Sequence, residues 1–397
     1  MGKMTVRDVD VSDKRVLVRV DFNTPLDEKT GAITDDSRIQ VTLPTIEYLI
    51  EQGARVILIS HLGRPKGEVV DKLRLAVVAQ RLSQLLGQQV GVTRDCIGTE
   101  VEKSVKSLMG GDVLLLENLR FHSAEEMDSS LFARALAKLA SIYVNDAFGT
   151  SHRSHASIVR IAEYLPAVAG LLLEKELNNL GGMLKNPVLP FAAVLGGAKI
   201  SDKVDMLENI MGKVGHLLIS GGMAATFLKA KSYEIGKSLF EADKLDTAVG
   251  LMEKATRNGV KLLLPLDVVV ADKISDKAKI KVVSIENIPP DWGIVDIGPQ
   301  TTKIFCKELR RCKTVFWNGP MGIYEIHHFA QGTKAIAKLL ASLNATTIAG
   351  GGSTAEVVIE MGLADKMSFV STGGGALLRF LGGGTLPGVE VLLDKKV

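Results

Sequence analysis

Charged and amide side chains follow several apolar runs in the first half of the chain. The clusters span Arg19 to Asn23, His61 to Pro65, Glu117 to Phe121 and Asp146 to Arg153. Taken singly, each Asp or Asn suits a turn after a strand, and each Arg suits a solvated surface. Their repetition favours a common anion, because converging guanidinium groups repel one another and their fork geometry matches carboxylate and phosphate. The pattern predicts a binding site for a small phosphorylated carboxylic acid.

Apolar runs of the second half end mostly in glycine. They end at Gly196-Gly197, Gly221-Gly222, Asn318-Gly319, Gly350 to Gly352 and Gly373 to Gly375. Where such a triplet precedes a helix, its backbone N–H groups can bind phosphate, although close packing of the helix would also select glycine. A phosphate-bearing ligand held by the backbone is the prediction for this half.

Lys199 and Lys203 follow the first of these glycine pairs in the segment GGAKISDK. They would share one face if a helix started there, and the N–H groups of Gly196 and Gly197 would then meet an anion. The alternative is a glycine turn before a solvated helix.

Two known nucleotide fingerprints are absent from the sequence, which has neither G-x-x-x-x-G-K-[ST] nor G-x-G-x-x-G. Any nucleotide must be held in another way. Asp267 and Asp296 are interpreted as loop caps or site residues, and Glu325 as a surface carboxylate or a ribose ligand.

Continuous apolar runs alternate with segments of helical periodicity, as expected for parallel strands buried on both faces. The predicted strands lie at 16–18, 56–59, 113–116, 142–144, 191–195, 217–220, 262–264, 315–317, 346–349 and 369–371, and the predicted helices include 42–51, 73–86 and 131–139. Ligands of such sheets bind beyond the carboxyl ends of the strands, where the clusters lie. The sequence predicts an α/β fold with two doubly wound halves.

A helix at 171–184, followed by Asn186-Pro187, is predicted to connect the two halves. We expect residues 1–170 to form one domain, 171–186 the connector and 187–379 the second domain. The glycines at 382–384 allow either a flexible tail or a return of residues 380–397 to the first domain.

Size, charge and cysteine content narrow the class of protein. The 397 residues exceed one ordinary core, and 48 Lys and Arg against 45 Asp and Glu, without a basic block, argue against nucleic-acid binding. The three cysteines show no paired metal spacing and favour a reducing compartment. With neither a signal core nor a membrane span apparent, we expect a cytoplasmic protein.

The chain resembles the phosphoglycerate kinase family over its whole length. The motifs run in family order through RVDFNTPL, SHLGRP, LLENLRF, DAFGTSHR, GGAKISDK, GGMAATF, LPLDVVVAD, DIGPQT, WNGPMG and STGGGA. The resemblance implies a monomer of two Rossmann-like domains joined by a helix and hinge, with the C-terminus returning to the first domain. It also implies reversible phosphoryl transfer in glycolysis from 1,3-bisphosphoglycerate to MgADP, which yields 3-phosphoglycerate and MgATP.

The resemblance further implies roles for individual residues. Those expected to hold 3-phosphoglycerate are Asp21, Asn23, Arg38, His61, Arg64, Arg120 and Arg153. Those expected at the nucleotide are Lys203, Gly293, Asn318, Glu325, Gly351, Gly352, Ser353 and Thr354. Arg38, Lys199, Gly373 and Gly374 are expected at the transferring phosphoryl group.

Two positions depart from the family pattern. Ser353 stands where the family usually carries the aspartate associated with magnesium, so Mg²⁺ would meet a hydroxyl directly or through water. Arg379 stands where glutamate is common. The alternative function is therefore a phospho-metabolite-binding protein whose turnover is impaired by Ser353.

Overall fold

The computed structural model describes residues 2–395, which form two compact units. Unit 1 comprises the residues up to Asn178 and those from Thr385 onward, and unit 2 comprises Asn179–Gly384. The unit boundary lies inside the helix that the sequence places between the domains. The return segment starts at Thr385, five residues after the expected position.

Unit 1 contains a six-stranded parallel sheet in the order β3-β4-β2-β1-β5-β6. Its strands are β1 (Arg15–Arg19), β2 (Arg55–Ile59), β3 (Val90–Val92), β4 (Val113–Leu115), β5 (Ile142–Asn145) and β6 (Ala167–Ala169). The four predicted strands are confirmed and are almost wholly buried. The sequence analysis missed β3, which contains Gly91 and is only partly buried, and β6, which lies within a longer apolar stretch.

The helices of unit 1 cover both faces of this sheet. They are α1 (Ser37–Gln40), α2 (Leu43–Glu51), α3 (Ala76–Leu86), α4 (Thr99–Lys106), α5 (Ser123–Glu126), α6 (Ser130–Ala137) and the start of α7 (Leu171–Lys185). In α3, Val78, Ala79 and Leu82 are buried at helical spacing, and Gly87 ends the helix at φ 66°.

Unit 2 contains a second six-stranded parallel sheet and a smaller antiparallel one. The strands are β7 (Phe191–Leu195), β8 (His216–Ile219), β9 (Lys261–Leu263), β10 (Asp267–Ala271), β11 (Ile280–Ser284), β12 (Gly293–Ile297), β13 (Thr314–Asn318), β14 (Thr346–Gly350) and β15 (Phe369–Ser371). The large sheet has the order β15-β14-β13-β7-β8-β9, and the small one has the order β11-β10-β12. The predicted α/β class with two parallel sheets is confirmed, whereas the antiparallel sheet was not predicted.

The helices of unit 2 follow its strands. They are α8 (Val204–Ile210), α9 (Gly221–Ala230), α10 (Leu245–Arg257), α11 (Pro299–Leu309), α12 (Gln331–Leu340), α13 (Gly352–Glu360) and α14 (Gly374–Leu381). A last short helix, α15 (Pro387–Glu390), belongs to unit 1. No helix among residues 2–395 is long and apolar enough to cross a membrane.

The segment after Gly384 is joined to unit 1 by backbone and side-chain contacts. Asn145 Nδ2, at the end of β5, donates to Gly388 O at 2.9 Å. Near the N-terminus, Met4 N donates to Leu393 O at 2.7 Å. These contacts make the segment 385–395 part of unit 1, which also carries the arginines predicted to bind the acid.

Candidate active site

Asp21, Arg38 and His61 meet at the carboxyl edge of the unit 1 sheet. Asp21 follows β1 and His61 follows β2, its neighbour, while Arg38 extends from α1. Arg38 Nη1 donates to Asp21 Oδ2 at 2.6 Å, and His61 Nδ1 lies 3.9 Å from Asp21 Oδ1. Burial opposes ionisation of Asp21, but the positive charges of Arg38 and Arg19 hold the pKa of this carboxyl below its ordinary value. Arg38 therefore has a carboxylate partner that an incoming anion could replace.

Arg19, which the sequence analysis did not assign to the site, fixes the state of His61. It is 1 % exposed, and its Nη2 lies 3.2 Å from His61 Nδ1. Because a guanidinium only donates, Nδ1 must accept, which leaves the hydrogen of the neutral ring on Nε2. Burial, reinforced by Arg19, holds the pKa of His61 well below its ordinary value. His61 is thus a neutral N–H donor, which a strand-end residue pattern does not reveal.

Asn23 and Arg120 hold the loop after β2 from two sides. Gly63 N donates to Asn23 Oδ1 at 2.7 Å, while Arg120 Nη1 donates to Gly63 O at 2.9 Å. Gly63 has φ 64°, a region that favours glycine. Arg120 Nε also lies 3.2 Å from Glu126 Oε1. These contacts position the loop that carries Arg64.

Arg64 and Arg153 have no carboxylate partner among residues 2–395. Arg64 is exposed, and Arg153 is half-buried. Burial lowers the pKa of Arg120, and the positive charges of Arg19 and Arg153 act in the same direction, against Glu126. The edge therefore combines partnered cations with two that lack a counter-charge.

A cavity of unit 2 has a volume of about 550 Å³. Gly293, Glu325 and Ser353 line it, as does the pair Gly221-Gly222 at the start of α9. Its apolar lining includes Leu239 and Ile274, which no motif suggested. A cavity of this size and composition suits a nucleoside.

Lys203 is buried beside the ends of β7 and β13, where it is 8 % exposed. Its Nζ donates to Gly196 O and to Asn318 O, the latter at 3.0 Å. Carbonyl oxygens solvate the ammonium but do not neutralise it. Burial therefore lowers the pKa of Lys203 to about 7.

No helix starts at Gly196 and Gly197, because α8 begins at Val204. Of the two alternatives, the structure has the glycine turn that precedes a helix. Gly197 N donates to Pro320 O at 3.1 Å, and a Cβ at Gly196 would lie 2.0 Å from the same oxygen. These glycines thus permit close approach of two loops rather than presenting N–H groups to an anion. Lys199 is exposed in the turn before α8 and does not share a helical face with Lys203.

Asn318 and Thr354 connect β13 to the glycine triplet at α13. Asn318 Nδ2 donates to Gly350 O at 2.6 Å, and Gly319 N donates to Thr354 Oγ1 at 2.7 Å. A Cβ at Gly351, which has φ 94°, would lie 2.6 Å from Asn318 Nδ2. Asn318 Oδ1 is buried without a hydrogen-bond partner in the described structure. The triplet therefore packs against an amide that retains an acceptor.

The first N–H groups of the last triplet bond within their own turn. Gly373 N donates to Ser371 Oγ at 3.3 Å, and Gly374 N donates to Thr372 O at 3.2 Å. Gly352, in the other triplet, has open space where a Cβ would stand.

Asp267 and Asp296 both bond to the backbone near helix starts. Asp267 accepts from Thr301 N at 2.7 Å, which supports its interpretation as a cap of α11. Asp296 accepts from Ile297 N and Gly332 N, each at 2.8 Å, and also lines the cavity. Burial raises the pKa of Asp296 to about 7 despite these bonds.

A family profile described as phosphoglycerate kinase matches residues 6–384. The chain belongs to the phosphoglycerate kinase family. It is 54 % identical to the phosphoglycerate kinase of Pelotomaculum thermopropionicum and 52 % identical to that of Moorella thermoacetica, each over 395 residues and 100 % of both chains.

Solved structures of phosphoglycerate kinases share the fold. The structure from Coxiella burnetii has a TM-score of 0.86 at 42 % identity, and that from Pyrococcus horikoshii has 0.87 at 31 %. Each comparison covers 98 % of both chains. The family and fold expected from the sequence are thereby confirmed.

Membership of the phosphoglycerate kinase family implies a nucleotide that carries Mg²⁺. Ser353 offers an exposed hydroxyl at the cavity, whereas both oxygens of Asp296 already accept backbone N–H groups. Mg²⁺ keeps several waters and takes much of its binding from phosphate oxygens. The donor set fits an ion that arrives with the nucleotide, and Ser353 would hold it directly or through water.

Proposed function

We propose that unit 1 binds 3-phosphoglycerate or 1,3-bisphosphoglycerate and that unit 2 binds ADP or ATP. The reaction of this family member is reversible transfer of the acyl phosphate of 1,3-bisphosphoglycerate to ADP, a phosphotransfer with a carboxyl group as acceptor (EC 2.7.2.3). The observation that supports the placement is the junction of Asp21, Arg38 and His61 in unit 1. The same unit carries Arg64 and Arg153, which have no carboxylate partner among residues 2–395.

The acid site works by replacing internal partners with substrate oxygens. Arg38 can exchange the Asp21 carboxylate for the substrate carboxylate or acyl phosphate, keeping a charge-assisted bond throughout. His61 donates from Nε2, while Arg64, Arg120 and Arg153 supply positive charge for the phosphate. Asn23 keeps the Arg64 loop in place through Gly63.

Transfer itself requires charge stabilisation and alignment more than proton abstraction. We assign Arg38 to the acyl phosphate side and Lys199 to the phosphoryl group in transit, since Lys199 is exposed in a turn and can follow a moving charge. The backbone at Gly373 and Gly374 is assigned to the same group, which would exchange their internal turn bonds for phosphoryl oxygens.

In the nucleotide site, the apolar lining and Gly293 suit the base, and Glu325 suits the ribose hydroxyls. Lys203, Asn318 and the segment Gly351 to Thr354 are assigned to the phosphates. A phosphate near Lys203 would provide the negative charge that its carbonyl partners lack. When bound, Mg²⁺ neutralises phosphate charge and helps to orient the transferring group.

The remaining proposals concern the cellular context and domain motion. We propose a cytoplasmic, glycolytic monomer that has no nucleic-acid or membrane partner. In-line transfer requires acid and nucleotide to meet, so a hinge at α7 is expected to bring the two ligands together.

The test pairs an assay of ATP formation with calorimetry on the full chain. Arg64→Ala should weaken 3-phosphoglycerate binding and leave ADP binding unchanged, while Lys199→Ala should lower kcat with acid affinity nearly intact. Arg134→Ala, at an exposed arginine of α6, is the control. Absence of ATP formation by the wild type, with acid binding retained, would favour the impaired-turnover alternative. Loss of ADP affinity alone in Arg64→Ala would reverse the assignment of the two units.

A further inference from the structure

A second cluster of chemically active side chains lies at the carboxyl edge of the unit 1 sheet, outside the proposed acid site. Strands β3 and β4 are parallel neighbours, with Val92 opposite Leu115. The loop after β3 carries Asp95 and Cys96, and the turn after β4 leads to His122. One possible ligand atom from each of the last three residues lies within 4.8 Å of the other two.

We propose that Asp95, Cys96 and His122 form a site for Zn²⁺, with water as the fourth ligand. Thiolate, imidazole and carboxylate are the three side-chain ligands that zinc takes, and three protein ligands plus water is a common tetrahedral set. The sulfur selects a borderline-soft ion over Mg²⁺, whose preferred ligands are oxygens. None of these three residues is assigned to either substrate.

The contacts already gather the ligands around one point. His122 Nε2 lies 2.6 Å from Asp95 Oδ1, and the same oxygen accepts from Cys96 N at 2.6 Å. For both side chains to bind one ion, the nitrogen and the oxygen must separate to about 3.4 Å, as tetrahedral bonds of about 2.0–2.1 Å require. This adjustment is small for side chains at the surface.

The exposed side chains of the cluster give a metal ion access from solvent, and the sulfur is the most deeply buried ligand. The Asp95 and His122 side chains are 51 % and 31 % exposed, whereas Cys96 is buried. A hydrated ion would meet the carboxylate and imidazole first. It would then bind the sulfur as the S–H bond breaks, and the thiol proton would pass to solvent as the Zn–S bond forms. No electron transfer is involved.

The cluster is also distinct from a simple Asp–His ion pair. An ordinary pair does not need the thiol of Cys96, which lies within 4.8 Å of a ligand atom of each of the other two side chains. His122 precedes α5 as its N-cap, and the last residue of this helix, Glu126, forms an ion pair with Arg120. The metal site would therefore lie beside the acid site without sharing a ligand with it.

The experiment titrates the full-length protein with Co²⁺ alone, in buffer without phosphate or nucleotide. The expected result is one Co²⁺ per chain with a near-ultraviolet thiolate charge-transfer band that Zn²⁺ displaces, and release of about one proton. Cys96→Ser should abolish the band, and His122→Asn should weaken binding at least about tenfold.

Matched variants separate this site from other thiols and imidazoles. Cys306→Ser and Cys312→Ser should retain the band, and His327→Asn, in the exposed pair His327-His328, should retain the affinity. His122→Asn and Asp95→Asn change exposed side chains, so they test the site even if Cys96→Ser fails to fold. A wild-type titration without the band, or a band unchanged in folded His122→Asn and Asp95→Asn, would overturn the proposal.

Discussion

The acid site of unit 1 and the nucleotide cavity of unit 2 hold positive charge in different ways. In unit 1, Arg38 has Asp21 as a partner, and Arg120 has Glu126. In unit 2, Lys203 is buried among the carbonyls of Gly196 and Asn318, and none of the carboxylates of residues 2–395 forms an ion pair with it. In unit 1, a ligand can take the place of the carboxylate that already neutralises the arginine. In unit 2, the buried charge of Lys203 destabilises the fold until a ligand supplies a negative charge.

The difference follows from the residues at the strand ends. Long arginine side chains reach across a sheet edge and can pair with acidic neighbours before substrate arrives. Glycines at 196 and 319 instead bring backbone segments together, which leaves room for one ammonium and its carbonyl partners. We therefore expect removal of a cation from unit 1 to affect mainly substrate positioning. Removal of Lys203 from unit 2 should affect both ligand binding and protein stability.

The largest expected effect is on turnover in Arg38→Ala. Loss of the guanidinium should lower kcat about 100- to 1,000-fold, because its charge acts where the acyl phosphate forms or breaks. Arg55→Ala is the control, since Arg55 also pairs with an aspartate, Asp13, but lies at the start of β2. Similar losses in the two variants would show that stability, rather than position, explains the result.

Lys203→Met should have opposite effects on ADP binding and on the stability of the fold. Removal of the ammonium should weaken ADP binding about 10- to 100-fold, as expected for a lost contact to phosphate. It should also raise the melting temperature by several degrees at pH 6.5, because the pKa of Lys203 falls from 10.5 to about 7 on folding and the buried charge destabilises the fold.

The stability difference between wild type and Lys203→Met should depend on pH in a defined direction. Between pH 7 and 10.5 the unfolded lysine holds a proton that the folded lysine has released, so wild-type stability should rise with pH and the advantage of the variant should shrink. Lys229→Met, at a surface lysine paired with Glu234, is the matched control. A lower melting temperature for Lys203→Met at pH 6.5 would contradict the buried-charge account.

ADP affinity should fall as pH rises from 7 to 9 in the wild type. Lys203 loses its proton above a pKa of about 7, which predicts at most about a tenfold loss of affinity per pH unit. Asp296, whose pKa is also about 7, would become negative in the same range and act in the same direction. Calorimetry on Lys203→Met and Asp296→Asn separates the two, because only the variant lacking the responsible group should lose the dependence.

The smallest expected effect concerns magnesium at Ser353. Ser353→Asp should lower the free Mg²⁺ needed for half-maximal activity about two- to tenfold, since a carboxylate attracts the cation more strongly than a hydroxyl does. Ser238→Asp, at another serine of the cavity lining, is the control for added charge. Coincident magnesium titrations for wild type and Ser353→Asp would show that phosphates and water already satisfy the ion.

The local sequence was sufficient for the family, the α/β class and most parallel strands. Continuous apolar runs such as those of β1 and β2 report burial on both faces, and the residues after them are contiguous in the chain. The same local information places Asp21, His61 and the glycine triplets after strands. It failed for β3, whose run contains Gly91, and for β6, which lies within a longer apolar stretch. It also failed for the antiparallel sheet of β10 to β12, whose apolar central run resembles a parallel strand.

Only the tertiary structure decided which side chains meet. Arg19 reaches His61 because β1 and β2 are neighbours, and Asp95 reaches His122 because β3 lies beside β4. Lys203 acquires its carbonyl partners from β7 and β13, strands that are distant in sequence. Strand order is a property of the packed sheet, so the pKa of Lys203 and the tautomer of His61 follow from non-local burial rather than from the residues on either side.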